Sequence, residues 1–288
     1  MFMQKLLVFL MLGLLHTAVS AQAGPTDTPP EIDILRDLTF VQYGEATLQL
    51  DLYRPAQSSE TLPVVIVIRE GGWAHGEKEA SGPLASALAR RGLASASIEY
   101  RGASEAVFPA YINDVKAAIR WLRANASAYN LDPDAIGAIG GSWGGYLAVY
   151  AGVTPDVAEF EGDGEANNTS SSLSAVVGIS APLNLADFPE SMERFLGESY
   201  KSNPSLWEFA SATTHTSKNS PPLLLIASQA DTTVPYEQSL LMAQAYGKAG
   251  AEIEIHLLPE VGHAPFWQYN LRLHDKVAEF FHRHLKSE

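Results

Sequence analysis

The sequence predicts an α/β fold: a mostly parallel sheet with helices on both faces and an N-terminal antiparallel hairpin. Three observations carry that prediction. Strand-like and helix-like segments alternate from Pro63 to the end, the pattern of βαβ units. Pro63 to Arg69 reads PVVIVIR, a β-branched run of the kind buried on both faces of a parallel sheet. The chain has 288 residues, 46% of them apolar and 18% charged, enough to fill one sizeable core and incompatible with global disorder.

Each element has its own signal. Leu38 to Tyr43 and Ala46 to Tyr53 alternate around Gly44-Glu45 and form the hairpin. The run Pro63 to Arg69 is the first parallel strand. Ser81 to Arg91 is helical, and Leu93 to Tyr100 is the next strand. Pro109 to Ala126 places Ile112, Val115, Ala118, Ile119 and Leu122 at helical spacing, so it is an amphipathic helix. Asp134 to Ile139 is a short strand, followed by a helix over Ser142 to Ala151. Leu173 to Ile179 and Leu223 to Ala227 are buried-type strands. Tyr236 to Lys248 is a helix, Glu252 to Leu258 a strand, and Trp267 to Leu285 the closing helix. Two stretches break this rhythm: an acidic, polar one from Thr154 to Ser172, and a longer one from Pro182 to Pro222 with helical fragments. Long excursions in a compact fold are often binding loops or lids.

Met1 to Ala23 reads as an export signal. Lys5 supplies the positive start, Leu6 to Leu15 the short apolar stretch, and Val19-Ser20-Ala21 or Ala21-Gln22-Ala23 the small residues of a cleavage site. The apolar run is short against roughly 30 Å of hydrocarbon. The expected organisation is a signal peptide over 1–23, a flexible leader over 24–37, and one domain over 38–288 with a lid-like insertion around 182–222. The mature chain is expected to be secreted or periplasmic and to lack a membrane span.

Acidic residues number 33 and basic ones 19, a formal net charge of −14. A nucleic-acid partner is not expected, since phosphate binding needs basic patches. There is no cysteine, which excludes disulfides, thiolate metal sites and cysteine nucleophiles.

The chemistry is concentrated in Gly140-Gly141-Ser142-Trp143-Gly144-Gly145. It follows a strand and opens a helix, the context in which G-x-S-x-G is informative. A turn that tight brings the residues two positions either side of the serine into collision unless they are glycine. It also pushes the Ser142 hydroxyl out at the carboxyl edge of the sheet, beside a helix N-terminus. A serine hydroxyl needs a base, and the base an orienting carboxylate. Asp231 lies in the loop after the strand Leu223–Ala227, and His263 in the loop after Glu252–Leu258, the loops where ligands meet open α/β sheets. Their order, Ser then Asp then His, is the hydrolase order. The competing residues are placed less well. His16 lies in the signal, His256 within a strand, His215 in the insertion, and His274, His282 and His284 on the last helix. His75 precedes the serine, and the acid Asp187 lies in the insertion.

An oxyanion needs preorganised N–H donors. One candidate is the backbone amide of Trp143, after the nucleophile. The other is the loop after Pro63–Arg69, which reads Glu70-Gly71-Gly72-Trp73, where Gly71 and Gly72 let the main chain approach a substrate. Glu70 and Trp73 flank those glycines and are candidate substrate-binding residues.

These pieces resemble an α/β-hydrolase of the carboxylesterase branch that contains hormone-sensitive-lipase-like esterases and bacterial acetyl and feruloyl esterases. The resemblance runs from about Leu50 to the C-terminus and rests on Gly71-Gly72-Trp73, Tyr100-Arg101, Asp114 to Trp121, Gly140 to Gly145, Ala230-Asp231 and Gly262-His263. Arg101 and Asp114 match positions that are structural in such enzymes. Arg69 and Glu70 stand where the family usually has His and Gly. The resemblance implies an α/β-hydrolase fold and a serine esterase, with no metal and no cofactor. Its substrates would be small-molecule or carbohydrate esters with short acyl or feruloyl groups. The alternative is a prolyl-oligopeptidase-like peptidase, which shares the glycine-rich serine turn but usually carries a propeller ahead of it.

Overall fold

The computed structural model describes residues 30–44, 46–56, 58–71, 76–155, 157–162, 166, 168–263 and 270–285. The segment read as a signal peptide, residues 1–23, lies outside the described residues, as do 24–29 of the leader. Eight strands form one sheet: β1 (Ile32–Tyr43), β2 (Ala46–Pro55), β3 (Leu62–Ile68), β4 (Ala94–Ile98), β5 (Leu131–Gly141), β6 (Ala175–Ile179), β7 (Leu223–Ser228) and β8 (Ile253–Leu258). Their spatial order is β1-β2-β4-β3-β5-β6-β7-β8. The first two pairings, β1 with β2 and β2 with β4, are antiparallel, and the remaining five are parallel. This is the α/β-hydrolase arrangement the sequence predicts.

The period of two along β3 explains why it carries no polar residue. Val64, Ile66 and Ile68 pack into the core on one face, and Val65 and Val67 into the core on the other. The first face is covered by α2 (Ala110–Ala124), α3 (Ser142–Val153) and α6 (Glu237–Ala249), the second by α1 (Lys78–Ala89) and α7 (Leu271–His284). Among the described residues no helix is long and apolar enough to cross a membrane.

The N-terminal boundary of the domain differs from the sequence reading. The leader expected over 24–37 is strand from Ile32 onward, paired to β2 from Ile32↔Pro55 to Leu35↔Leu52. Ile32 and Ile34 pack against the α1/α7 side of the core. The alternation that would have revealed this is broken by a register shift between Leu35 and Leu38. There Asp37 takes a left-handed φ of 57° and its amide donates to Asp51 Oδ1 at 3.0 Å.

The insertion after β6 contains α4 (Pro189–Leu196) and α5 (Pro204–Phe209). It is built into the core: Phe195 and Trp207 are fully buried, and Phe195 meets the Trp143 ring edge-on at 3.8 Å between centroids. Gln238 at the start of α6 ties it down, accepting from the amides of Leu183 and Asn184 at 2.9 and 2.8 Å. In the acidic stretch after α3, Glu161 accepts from two fully buried cations, Lys116 at 2.8 Å and Arg120, both on α2.

Candidate active site

β5 ends at Gly141 and α3 begins at Ser142 without an intervening loop. Ser142 sits at φ 50°, the left-handed region, which costs a non-glycine residue on the order of 1 kcal/mol. Steric crowding at this elbow is measurable. A Cβ on Gly140 would lie 2.3 Å from the carbonyl carbon and oxygen of Gly144, and one on Gly144 would lie 2.4 Å from the carbonyl oxygens of Ile68 and Arg69. The glycines two positions either side of the serine therefore touch each other and the end of β3, as the spacing predicts.

The turn holds the Ser142 Oγ 2.9 Å from His263 Nε2, and His263 Nδ1 lies 2.8 Å from Asp231 Oδ2. Asp231 has a buried carboxylate whose other oxygen, Oδ1, accepts from the amides of Thr233 and Val234, each at 2.9 Å. Those two bonds fix the carboxylate's rotation. An Nδ1–H donating to Oδ2 leaves the lone pair of the imidazole on Nε2, where the Ser142 hydroxyl can donate. The three residues singled out from the sequence are thus brought into one hydrogen-bonded chain, Ser142 from the β5–α3 elbow and Asp231 and His263 from the loops after β7 and β8.

A residue not singled out from the sequence joins two of those loops. Ser228, the last residue of β7, is fully buried, and its hydroxyl accepts from the amide of Ala230 at 3.2 Å and that of Val261 at 3.1 Å. One oxygen therefore links the Asp231 loop to the His263 loop. No local pattern marks it, because Val261 is 33 residues away in sequence.

The competing groups are engaged elsewhere. Asp187 Oδ2 accepts from Gln238 Nε2 at 2.7 Å and Asn184 Nδ2 at 3.0 Å. His215 packs among Tyr150, Phe160 and Phe209, and burial lowers its pKa below the ordinary histidine value. His75 lies outside the described residues. Glu252, Glu254 and His284 bring ligand atoms within 4.8 Å of one another, but at the amino end of β8, away from His263, with Arg283 paired to Glu254.

On the oxyanion side, Trp143 is buried and its ring stacks on Tyr146, while its amide belongs to the first turn of α3. The first amides of a helix have no intrahelical acceptor. Gly71 is exposed at φ 134°, a conformation that favours glycine. Glu70 is half-buried, and its carboxylate adds to the burial that pushes the Tyr100 phenol far above its usual value. The neighbouring Arg69 guanidinium lies 3.8 Å from Glu77. Gly72 and Trp73 lie outside the described residues. Arg101 binds the fully buried Asp114 through Nε at 3.0 Å and Nη2 at 2.7 Å, a structural pair well suited to closing the β4–α2 connection.

Sheet order, strained elbow and serine–histidine–aspartate chain together define the α/β-hydrolase class. Within that class the chain belongs to the BD-FAE family, whose model matches residues 50–246. It is 32% identical to esterase LipC of Mycobacterium tuberculosis over 233 residues, covering 75% of this chain and 57% of that protein. The chain thus spans a little over half the length of the curated relatives it matches. Among solved structures it superimposes on a truncated carbohydrate esterase from gut microbiota with a TM-score of 0.82 at 28% identity, covering 92% of this chain and 100% of that one. It also superimposes on an acetyl ester-xyloside bifunctional hydrolase from Caldicellulosiruptor lactoaceticus, with a TM-score of 0.73 at 28% identity, covering 83% of this chain and 89% of that one.

Proposed function

We propose that this protein is a serine esterase that removes short acyl groups from carbohydrate esters. The observation that carries the reading is the chain Ser142 Oγ, His263 Nε2, His263 Nδ1, Asp231 Oδ2, with both contacts at hydrogen-bond length and the serine on a strained elbow. In this reading Ser142 Oγ attacks the ester carbonyl carbon and its proton passes to His263 Nε2. The resulting oxyanion is held by the Trp143 amide and the Gly71-Gly72 loop. The C–O bond to the alcohol breaks as His263 returns the proton to the leaving oxygen. Water then attacks the acyl-enzyme carbonyl, giving one proton to His263; the bond to Ser142 Oγ breaks as His263 returns that proton to the serine oxygen, and the carboxylic acid is released. Asp231, held by two amides, keeps the imidazole oriented and stabilises its cation.

The carbohydrate assignment is supported by the carbohydrate esterase and the acetyl ester-xyloside hydrolase among the similar structures. The feruloyl group of the sequence reading is kept as the second acyl candidate, with Glu70 and Trp73 as candidate contacts at the mouth. Export supplies the setting, on the strength of Lys5 and the apolar run Leu6–Leu15. An ester panel tests the substrate class: acetyl, butyryl, octanoyl and feruloyl aryl esters, an acetylated xylo-oligosaccharide, and an aminoacyl anilide. The expected order places acetyl above octanoyl, with acetate released from the oligosaccharide. Cleavage of the anilide in preference to every ester would overturn the reading in favour of a peptidase.

A further inference from the structure

Tyr100, just past β4, is used in three ways. Its hydroxyl donates to the carbonyl of Arg69 at 3.0 Å. Its own carbonyl accepts the amide of Gly76 at 2.8 Å, an isolated antiparallel bridge. Its ring packs against Gly76, where a Cβ would stand 2.2 Å from Cδ1 and Cε1. Arg69 and Gly76 are the two ends of the segment that bears Gly71 and Gly72. One residue, 1% exposed, therefore grips that segment at entry and exit.

The grip is placed where the sheet stops helping. The ladder between β3 and β5 ends at Ile68↔Gly140, so the Arg69 carbonyl lies one residue beyond it. That carbonyl also borders the nucleophile elbow, 2.4 Å from where a Cβ of Gly144 would be. A continuous line of contact runs from the Tyr100 hydroxyl through the Arg69 carbonyl to the first turn of α3. Donors to a developing oxyanion work only if they are held in place before the charge appears.

We propose that Tyr100 is a positioning residue that sets the Gly71-bearing loop against the Ser142 elbow. The proposal rests on the serine-esterase reading above and assigns a role to a hydroxyl that touches neither substrate nor Ser142. It implies that loosening the Arg69 carbonyl weakens binding of the tetrahedral state and leaves ground-state binding of the ester unchanged.

Tyr100→Phe keeps the ring against Gly76 and deletes only the hydroxyl. Two readouts are taken per active site, counted by fluorophosphonate titration so that unfolded chains drop out. The first is kcat and KM for a neutral short-acyl ester. The second is Ki for an alkyl trifluoromethyl ketone, which adds Ser142 Oγ to its carbonyl and forms a tetrahedral oxyanion. The expected result is kcat lower by about 10-fold at unchanged KM, a fraction of the ~10²–10³ that loss of an oxyanion donor costs. Ki should rise by the same factor. Gly76→Ala attacks the same grip from the loop side and should move both values in the same direction. Unchanged Ki in both variants would overturn the proposal, whether or not their melting temperatures fall. A wild-type protein that neither hydrolyses esters nor labels at Ser142 would remove the esterase reading itself, a result distinct from failure of the Tyr100 arm.

Discussion

Adding one methyl group at Gly140 should damage both stability and turnover, and the structure sets the scale. The new Cβ would lie 2.3 Å from the carbonyl carbon and oxygen of Gly144 and 2.8 Å from the amide nitrogen of Gly145. Carbon atoms settle at about 3.5–4.0 Å, so more than about 1 Å must be found. All three obstructing atoms are backbone, and no rotamer change can relieve the clash. Overpacking a dense interior costs ~1–3 kcal/mol, sometimes more, and this site belongs at the upper end. For a domain of this size that corresponds to a fall in melting temperature of about 6–12 °C. Moving the elbow by on the order of 1 Å should also lower kcat by about 10²-fold. Calorimetry and initial rates on a neutral acetyl ester read the two effects. Gly145→Ala, with contacts of 2.9 Å to Gly140 O and 3.0 Å to Ala181 Cβ, should fall between Gly140→Ala and wild type. Gly262→Ala, next to His263 but with nothing within 4 Å of the added carbon, should stay within about 0.5 kcal/mol of wild type. A Gly140→Ala protein that melts and turns over like Gly262→Ala would refute the steric account of the elbow.

Three further outcomes are expected. Ser142→Gly and Ser142→Ala should both lose turnover, but the glycine variant should melt no lower than the alanine one, because only glycine holds φ 50° without strain; scanning calorimetry decides. Arg101→Ala leaves Asp114 buried without its main cation and should cost ~3–5 kcal/mol near neutral pH by urea unfolding. Burial already holds the Asp114 carboxyl above its usual value, opposed by Arg101. On acidification the native state therefore takes up this proton before the unfolded chain does, so stability from the neutral form is present at low pH and lost as pH rises. The penalty of Arg101→Ala should accordingly shrink as the pH is lowered toward the carboxylate range. Glu70→Gln should lower KM for an anionic ester by about 5-fold at low salt, while a matched neutral ester changes little and high salt narrows the difference; equal changes for both esters would make Glu70 an ordinary loop residue.

The parts of the molecule legible in the sequence are those with a local cause. β3 is legible because burial on both faces removes every polar residue from it. The elbow is legible because two glycines at ±2 from a serine have a steric explanation within five residues. Asp231 and His263 are legible because each lies in the loop after a strand, Asp231 after the buried β7 and His263 after the half-buried β8. What was hidden depends on contacts between distant segments. The early start of β1 is masked by the bulge at Asp37, where a left-handed residue breaks the alternation. Ser228 looks like the end of a strand until Val261 is seen donating to it. Tyr100 reads as one more buried aromatic until Arg69 and Gly76 are found on its two ends. The insertion reads as a lid from its length and position, whereas Phe195 packs against the Trp143 ring, next to the nucleophile in sequence.

The central claim is that Ser142 is a nucleophile activated by His263 and oriented through Asp231. Its most direct test is the rate and site of labelling by an alkyl fluorophosphonate, followed by mass mapping, in wild type, Ser142→Ala, His263→Ala and Asp231→Asn. The account predicts one adduct per chain, on Ser142, absent in Ser142→Ala. Labelling should slow by roughly 10⁶-fold in His263→Ala and on the order of 10⁴-fold in Asp231→Asn. An adduct on another residue, or undiminished labelling of Ser142 after removal of His263, would contradict it.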